Sequence, residues 1–155
     1  MKKKKYIPYI VFLLITFAVA SVAAIITAKG MPAFERINKP AFTPPKLVFP
    51  IVWTVLYALM AIGAAMVWNT GGKGTAKAIS LFILQLAMNF LWVVWFFGFQ
   101  AYLFSFIWLI ALIVAVAAMT RAFYNVNAAA AYLQIPYVAW LTLAALLNLA
   151  VYLMN

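Results

Sequence analysis

Five long apolar runs alternate with short polar breaks along the chain. Each run is close to the roughly 20 residues that an α-helix needs to cross the hydrocarbon of a bilayer. They predict helices over residues 6–28, 47–68, 77–97, 102–122 and 128–154. The breaks are a long loop at 29–46, the turn Gly71-Gly72-Lys73-Gly74, a hairpin at 98–101 and a polar turn at 121–127. Connections this short make consecutive helices antiparallel neighbours. The expected fold is an all-α membrane protein, a bundle of five transmembrane helices forming one domain over residues 1–155. Lysines at 2–5 precede the first run, as in a signal peptide, and Ala18-Val19-Ala20 resembles a cleavage site. The run continues through Ala28, however, long enough to span, so it reads as a retained helix.

One stretch departs from the alternation. Residues 37–57 carry four of the seven prolines and pass from polar loop to apolar helix with almost no spacer. Proline fixes φ and turns the preceding residue away from helix, so the loop should hold a few defined shapes. Phe34, Phe42 and Phe49 are poorly placed in water. A loop with those properties is expected to fold down as a lid over a pocket between helices.

Composition agrees with the bilayer reading. The chain is 70% hydrophobic and 8% charged, against roughly a quarter charged in a soluble domain. A net charge of +10 could point to nucleic acid. Its lysines and arginines instead flank the apolar runs, where they meet anionic headgroups, so membrane lipid is the expected partner and nucleic acid is not. Seven of the eleven basic residues fall on the N-terminal side of the bundle and four on the other. Basic residues favour the inside, which gives a multi-pass protein of a cell membrane, expected to be bacterial, with a cytoplasmic N-terminus.

The chain has no cysteine and no histidine, and Glu35 is its one acidic residue. No predicted span holds an ionisable Asp, Glu, Lys, Arg or His away from its ends. That argues against proton-coupled transport and against side-chain acid/base or nucleophilic catalysis. No catalytic residue and no metal ligand set is expected, and no cofactor is required. Aromatic and amide chemistry remains. Phe49, Trp53, Tyr57 and Met60 share one face of the second helix, and Gln85, Asn89, Trp92 and Phe96 one face of the third. Trp140, Ala144 and Asn148 make a third such face, one turn after Pro136. Each face alone could be helix packing. Three together suit a flat apolar ligand with a few polar edges.

Several ordered blocks carry a family resemblance. They are Asn38-Lys39-Pro40, Pro44-Pro45, VWTVLY at 52–57, QLAMNFLW at 85–92, Phe96-Phe97, and PYVAW at 136–140 with Asn148. Together they resemble the tryptophan-rich sensory protein or translocator protein (TspO/MBR, peripheral-type benzodiazepine receptor) family over nearly the whole chain. The resemblance implies five transmembrane helices, commonly a homodimer, and a ligand pocket under the first long loop. It also implies porphyrin or haem as ligand, or in animal members a sterol-like small molecule. By position, the pocket would use Trp53, Asn89, Trp92 and Trp140, with Phe34 and Phe42 from the loop. The family often has Trp-Tyr at Ala33-Phe34, and Trp at Phe42 and Leu47. Phenyl rings still stack but lack the indole N–H, which favours porphyrin binding over porphyrin breakdown. The family's C-terminal cholesterol pattern needs a basic residue after its tyrosine, and Tyr152 is followed by Leu153-Met154-Asn155.

The leading expectation is therefore a tetrapyrrole-binding membrane protein with a sensing, regulatory or transport role. The alternatives are a light-dependent porphyrin-degrading enzyme and a ligand-free membrane assembly partner.

Overall fold

The computed structural model describes residues 3–155, so Lys2 of the N-terminal basic run lies outside the described residues. The helices are α1 (Lys3–Arg36), α2 (Val48–Thr70), α3 (Thr75–Val93), α4 (Tyr102–Val126), α5 (Ala128–Tyr132) and α6 (Ile135–Met154). A five-residue π-turn, Val94–Gly98, continues α3. Among the described residues, five helical segments are long and apolar enough to span a membrane, α5 and α6 together making the last.

Three boundaries differ from the sequence expectation, each for a tertiary reason. The long loop begins at Ile37 rather than at residue 29, because α1 runs on through Gly30 and Pro32. Those helix breakers are overridden where buried Gly30 lies flush against Phe97 of the π-turn. α1 then stops where Lys39 folds back, its Nζ donating to the carbonyls of Phe34, Glu35 and Ile37 at 2.8, 3.0 and 3.1 Å. This cation caps the unsatisfied end of the helix. The polar turn at 121–127 contracts to Asn127, since α4 stays helical to Val126. Asn127 caps α5 by accepting from the Ala130 N–H at 3.2 Å. The fifth span is broken ahead of Pro136, which has no N–H for the helix ladder. Gln134 bridges the break, donating to the carbonyls of Leu59 and Ala130.

The helices close a ring: α1 packs on α2 and α3, α3 on α4, α4 on α6, and α5 on α2. At the end away from the long loop, small residues bring the backbones together. Ala61, Ala64 and Ala65 of α2 and Ala78 of α3 are completely buried. At the loop end the inward positions are aromatic, so side chains rather than backbones span the ring. Ile51, Val55, Ile107 and Val114 face outward and are exposed, as suits contact with lipid.

Residues 37–47 cross this open end as a strap. Asn38 and Asn155 pair reciprocally, the Asn38 N–H donating to Asn155 Oδ1 at 3.0 Å and Asn155 Nδ2 to the Asn38 carbonyl at 2.9 Å. At the other end of the strap Lys46 pairs with Glu35. That ammonium holds the Glu35 carboxyl below the usual carboxylate range. The pair therefore persists through neutral pH and is lost only as pH falls through the lowered value.

Candidate functional site

Beneath the strap lies a cavity of about 440 Å³, within the range of small-molecule sites. Its wall is aromatic. Trp53 stands at the centre, its ring 5.5 Å from Tyr57, 6.2 Å from Trp92 and 6.5 Å from Trp140. Phe34, on the last turns of α1, faces Phe96 at 5.8 Å and Phe97 at 5.7 Å. Phe49 meets Trp140 edge-on at 5.9 Å. The π-turn widens the helix so that the consecutive residues Phe96 and Phe97 both line the cavity. Such single π-turns recur at functional sites.

The polar atoms are mostly committed. The Trp92 indole N–H donates to Asn148 Oδ1 at 3.1 Å, and the Ser105 hydroxyl donates to the same oxygen at 3.0 Å. Asn148 Nδ2 donates to the Tyr102 carbonyl at 2.7 Å. Below the cavity runs a buried chain of bonds. Tyr57 O–H donates to Asn89 Oδ1 at 2.8 Å, and Asn89 Nδ2 to the Tyr137 hydroxyl oxygen at 2.9 Å. Tyr137 O–H in turn donates to Gln85 Oε1 at 2.9 Å. Each group is satisfied where no bulk water reaches, which fixes the floor in one arrangement.

Asn89→Leu tests that floor. It leaves the buried Tyr57 hydroxyl without its acceptor, at a cost of about 2 kcal/mol. Thermal unfolding in detergent should show a clear drop, whereas Ser80→Ala, at an exposed bond within α3, should show almost none.

Eight of the eleven sequence-derived site residues line the cavity together: Phe34, Phe49, Trp53, Tyr57, Trp92, Trp140, Ala144 and Asn148. Three do not. Gln85 and Asn89 are completely buried in the floor, behind Tyr57. Phe42 sits on the strap with 53% of its surface exposed, away from the cavity wall. The strap contributes Thr43, Lys46 and Leu47 instead. Tyr137 is a participant that the face analysis omitted. Its spacing of three before Trp140 and seven before Ala144 puts it on the same face of α6. The small residues Ala20, Ala24 and Ala28 of α1 also line the cavity, and nothing in their type distinguishes them from packing positions.

Comparison with known proteins follows the same outline. The model of the TspO/MBR family matches residues 11–153. A tryptophan-rich protein TspO of Archaeoglobus fulgidus is 34% identical over 144 residues, covering 92% of this chain and 94% of that protein. A tryptophan-rich sensory protein of Cereibacter sphaeroides is 36% identical over 115 residues, or 74% of this chain and 72% of that protein. The human translocator protein is 36% identical over 127 residues, covering 80% and 75% of the two chains.

Proposed function

The chain belongs to the TspO/MBR family, and we propose that its cavity binds a flat, largely apolar tetrapyrrole, a porphyrin or haem, in a sensing, regulatory or transport role. The observation that carries this reading is the corner formed by Trp53, Trp92 and Trp140 opposite Phe34 and Phe97. Aromatic faces on two sides of a largely apolar cleft suit a planar ring system, each stacked or edge contact adding about 1 kcal/mol beyond area burial. Lys46 lies at the cavity mouth, where its ammonium can pair with the carboxylate of a propionate alongside Glu35. The names of the relatives, sensory and translocator, agree with a ligand-handling role.

No histidine, cysteine or acidic side chain lines the cavity. Its residues stack a ring, shield it from water and orient its edge, and binding is the chemistry they supply. Titration of the protein in detergent with protoporphyrin IX, followed by tryptophan emission, should give saturable one-to-one quenching. Haem should compete for the same sites. Linear, unsaturable quenching, equal to that of free tryptophan in the same micelles, would remove this reading.

A further inference from the structure

The strap crosses the aqueous side of the cavity, and the cavity wall toward the bilayer between α2 and α6 is one side chain thick. The strap is fastened by Asn38 to Asn155 and by Lys46 to Glu35. Along the side of the bundle, α5 packs on α2, but after the break at Pro136 α6 has no comparable backbone contact with it. An apolar groove is left on the outer surface there. Ile51 and Val55 line it from α2, Pro136 and Ala139 from α6. Its inner edge is formed by Trp140 and Leu143, which also line the cavity. One pair of side chains thus separates the binding site from the hydrocarbon.

Among the described residues, Trp140 and Trp53 lack the indole hydrogen bond that fixes two other tryptophans. Trp92 is anchored by its N–H to Asn148, and Trp108 by its N–H to the Met88 carbonyl at 2.8 Å. The indole N–H of Trp140 has no hydrogen bond among the described residues. Its ring makes edge contacts with Phe49 and Trp53, at interplanar angles of 72° and 90°. Nothing polar has to break for it to swing. The groove offers no charged group, so its occupant must be an apolar solute of the bilayer.

We propose that the α2/α6 groove is a doorway from the membrane, with Trp140 as its gate, through which the cavity's ligand passes while the strap stays fastened. The ring edge leads and any carboxylate trails toward the headgroups. This inference rests on the reading of the cavity as a ligand site.

The test uses the full chain in nanodiscs and has two arms. In the first, lipids brominated along the acyl chain quench tryptophan emission, and the native chain is compared with Trp140→Phe. A gate within reach of the chains predicts that Trp140→Phe removes more than an equal share of the quenchable emission of the six tryptophans. No such excess overturns the doorway. In the second arm, association of protoporphyrin IX is timed by stopped flow. Ala139→Trp, which fills the groove from outside the cavity wall, should slow association about tenfold and slow dissociation in step. Joining Asn38→Cys to Asn155→Cys with a short bismaleimide should leave the rates unchanged, and the chain has no cysteine of its own to interfere. The opposite result, a blocked rate in the cross-linked protein and a native rate in Ala139→Trp, overturns the doorway. If protoporphyrin IX binds none of these proteins, the functional reading fails, and the lipid-quenching arm still decides the doorway.

Discussion

Trp53→Ala is expected to weaken protoporphyrin IX binding about 100-fold, a loss of about 2.7 kcal/mol. The Trp53 ring approaches four others around the cavity: Tyr57, Trp92, Tyr137 and Trp140. Truncation removes the stacking surface itself and also the partner that holds Trp140 upright. A central aromatic in a desolvated pocket typically costs 2 kcal/mol or more on truncation. Trp53→Phe keeps a smaller ring and should lose about tenfold, or 1.4 kcal/mol. Val55→Ala, two residues on but exposed on the outer face, should bind as the native chain does. Equilibrium titration in detergent reads all three, with circular dichroism to show that each variant is folded.

Gly30→Ala is expected to be strongly destabilising. A Cβ at that position would lie 2.4 Å from the Phe97 carbonyl oxygen and 2.9 Å from the Phe97 Cβ. Neither atom can rotate away, because both are fixed by the backbone of the π-turn. α1 must therefore withdraw, which opens the contact between Phe34 and the two phenylalanines of the cavity wall. Overpacking of this kind costs about 3 kcal/mol, read as a lower midpoint of thermal unfolding. Affinity for protoporphyrin IX should fall with it. Gly98→Ala is the matched control. Its nearest neighbour would be Ile26 Cγ2 at 3.8 Å, an ordinary contact, and little change is expected.

The two variants also mark what could and could not be read from the residues alone. Trp53, Trp92 and Trp140 were legible because helical spacing puts them on inward faces, and the ring of helices turns those faces toward one another. The amides were legible as members of those faces, but their partners were not. Asn89 and Gln85 are consumed by Tyr57 and Tyr137 in the floor, a pairing that depends on how α2, α3 and α6 are set in depth. The end of α1 was misplaced because Gly30 and Pro32 are breakers by local rule. What overrides them is contact with a π-turn some 65 residues later, and no local pattern announces it. The strap kept its predicted place over the cavity, yet its ring at Phe42 points away. Proline geometry predicts that a loop is stiff, not which of its side chains turns inward.

The strap and the wall between α2 and α6 divide the work of closure. Hydrogen bonds and an ion pair fasten the aqueous side, where water competes with each of them. Aromatic edges close the lipid side, where no solvent hydrogen bond is at stake. A cavity built in this way suits a ligand that prefers the membrane to water.

The proposed function puts a planar tetrapyrrole in this cavity against Trp53. The most direct measurement is the anomalous scattering of zinc in crystals of the protein grown with zinc protoporphyrin IX. A single peak beneath the strap, between the Trp53 ring and the Phe34–Phe97 pair, is the predicted result. A peak on the outer surface of the helices, with the cavity free of porphyrin density, would contradict it.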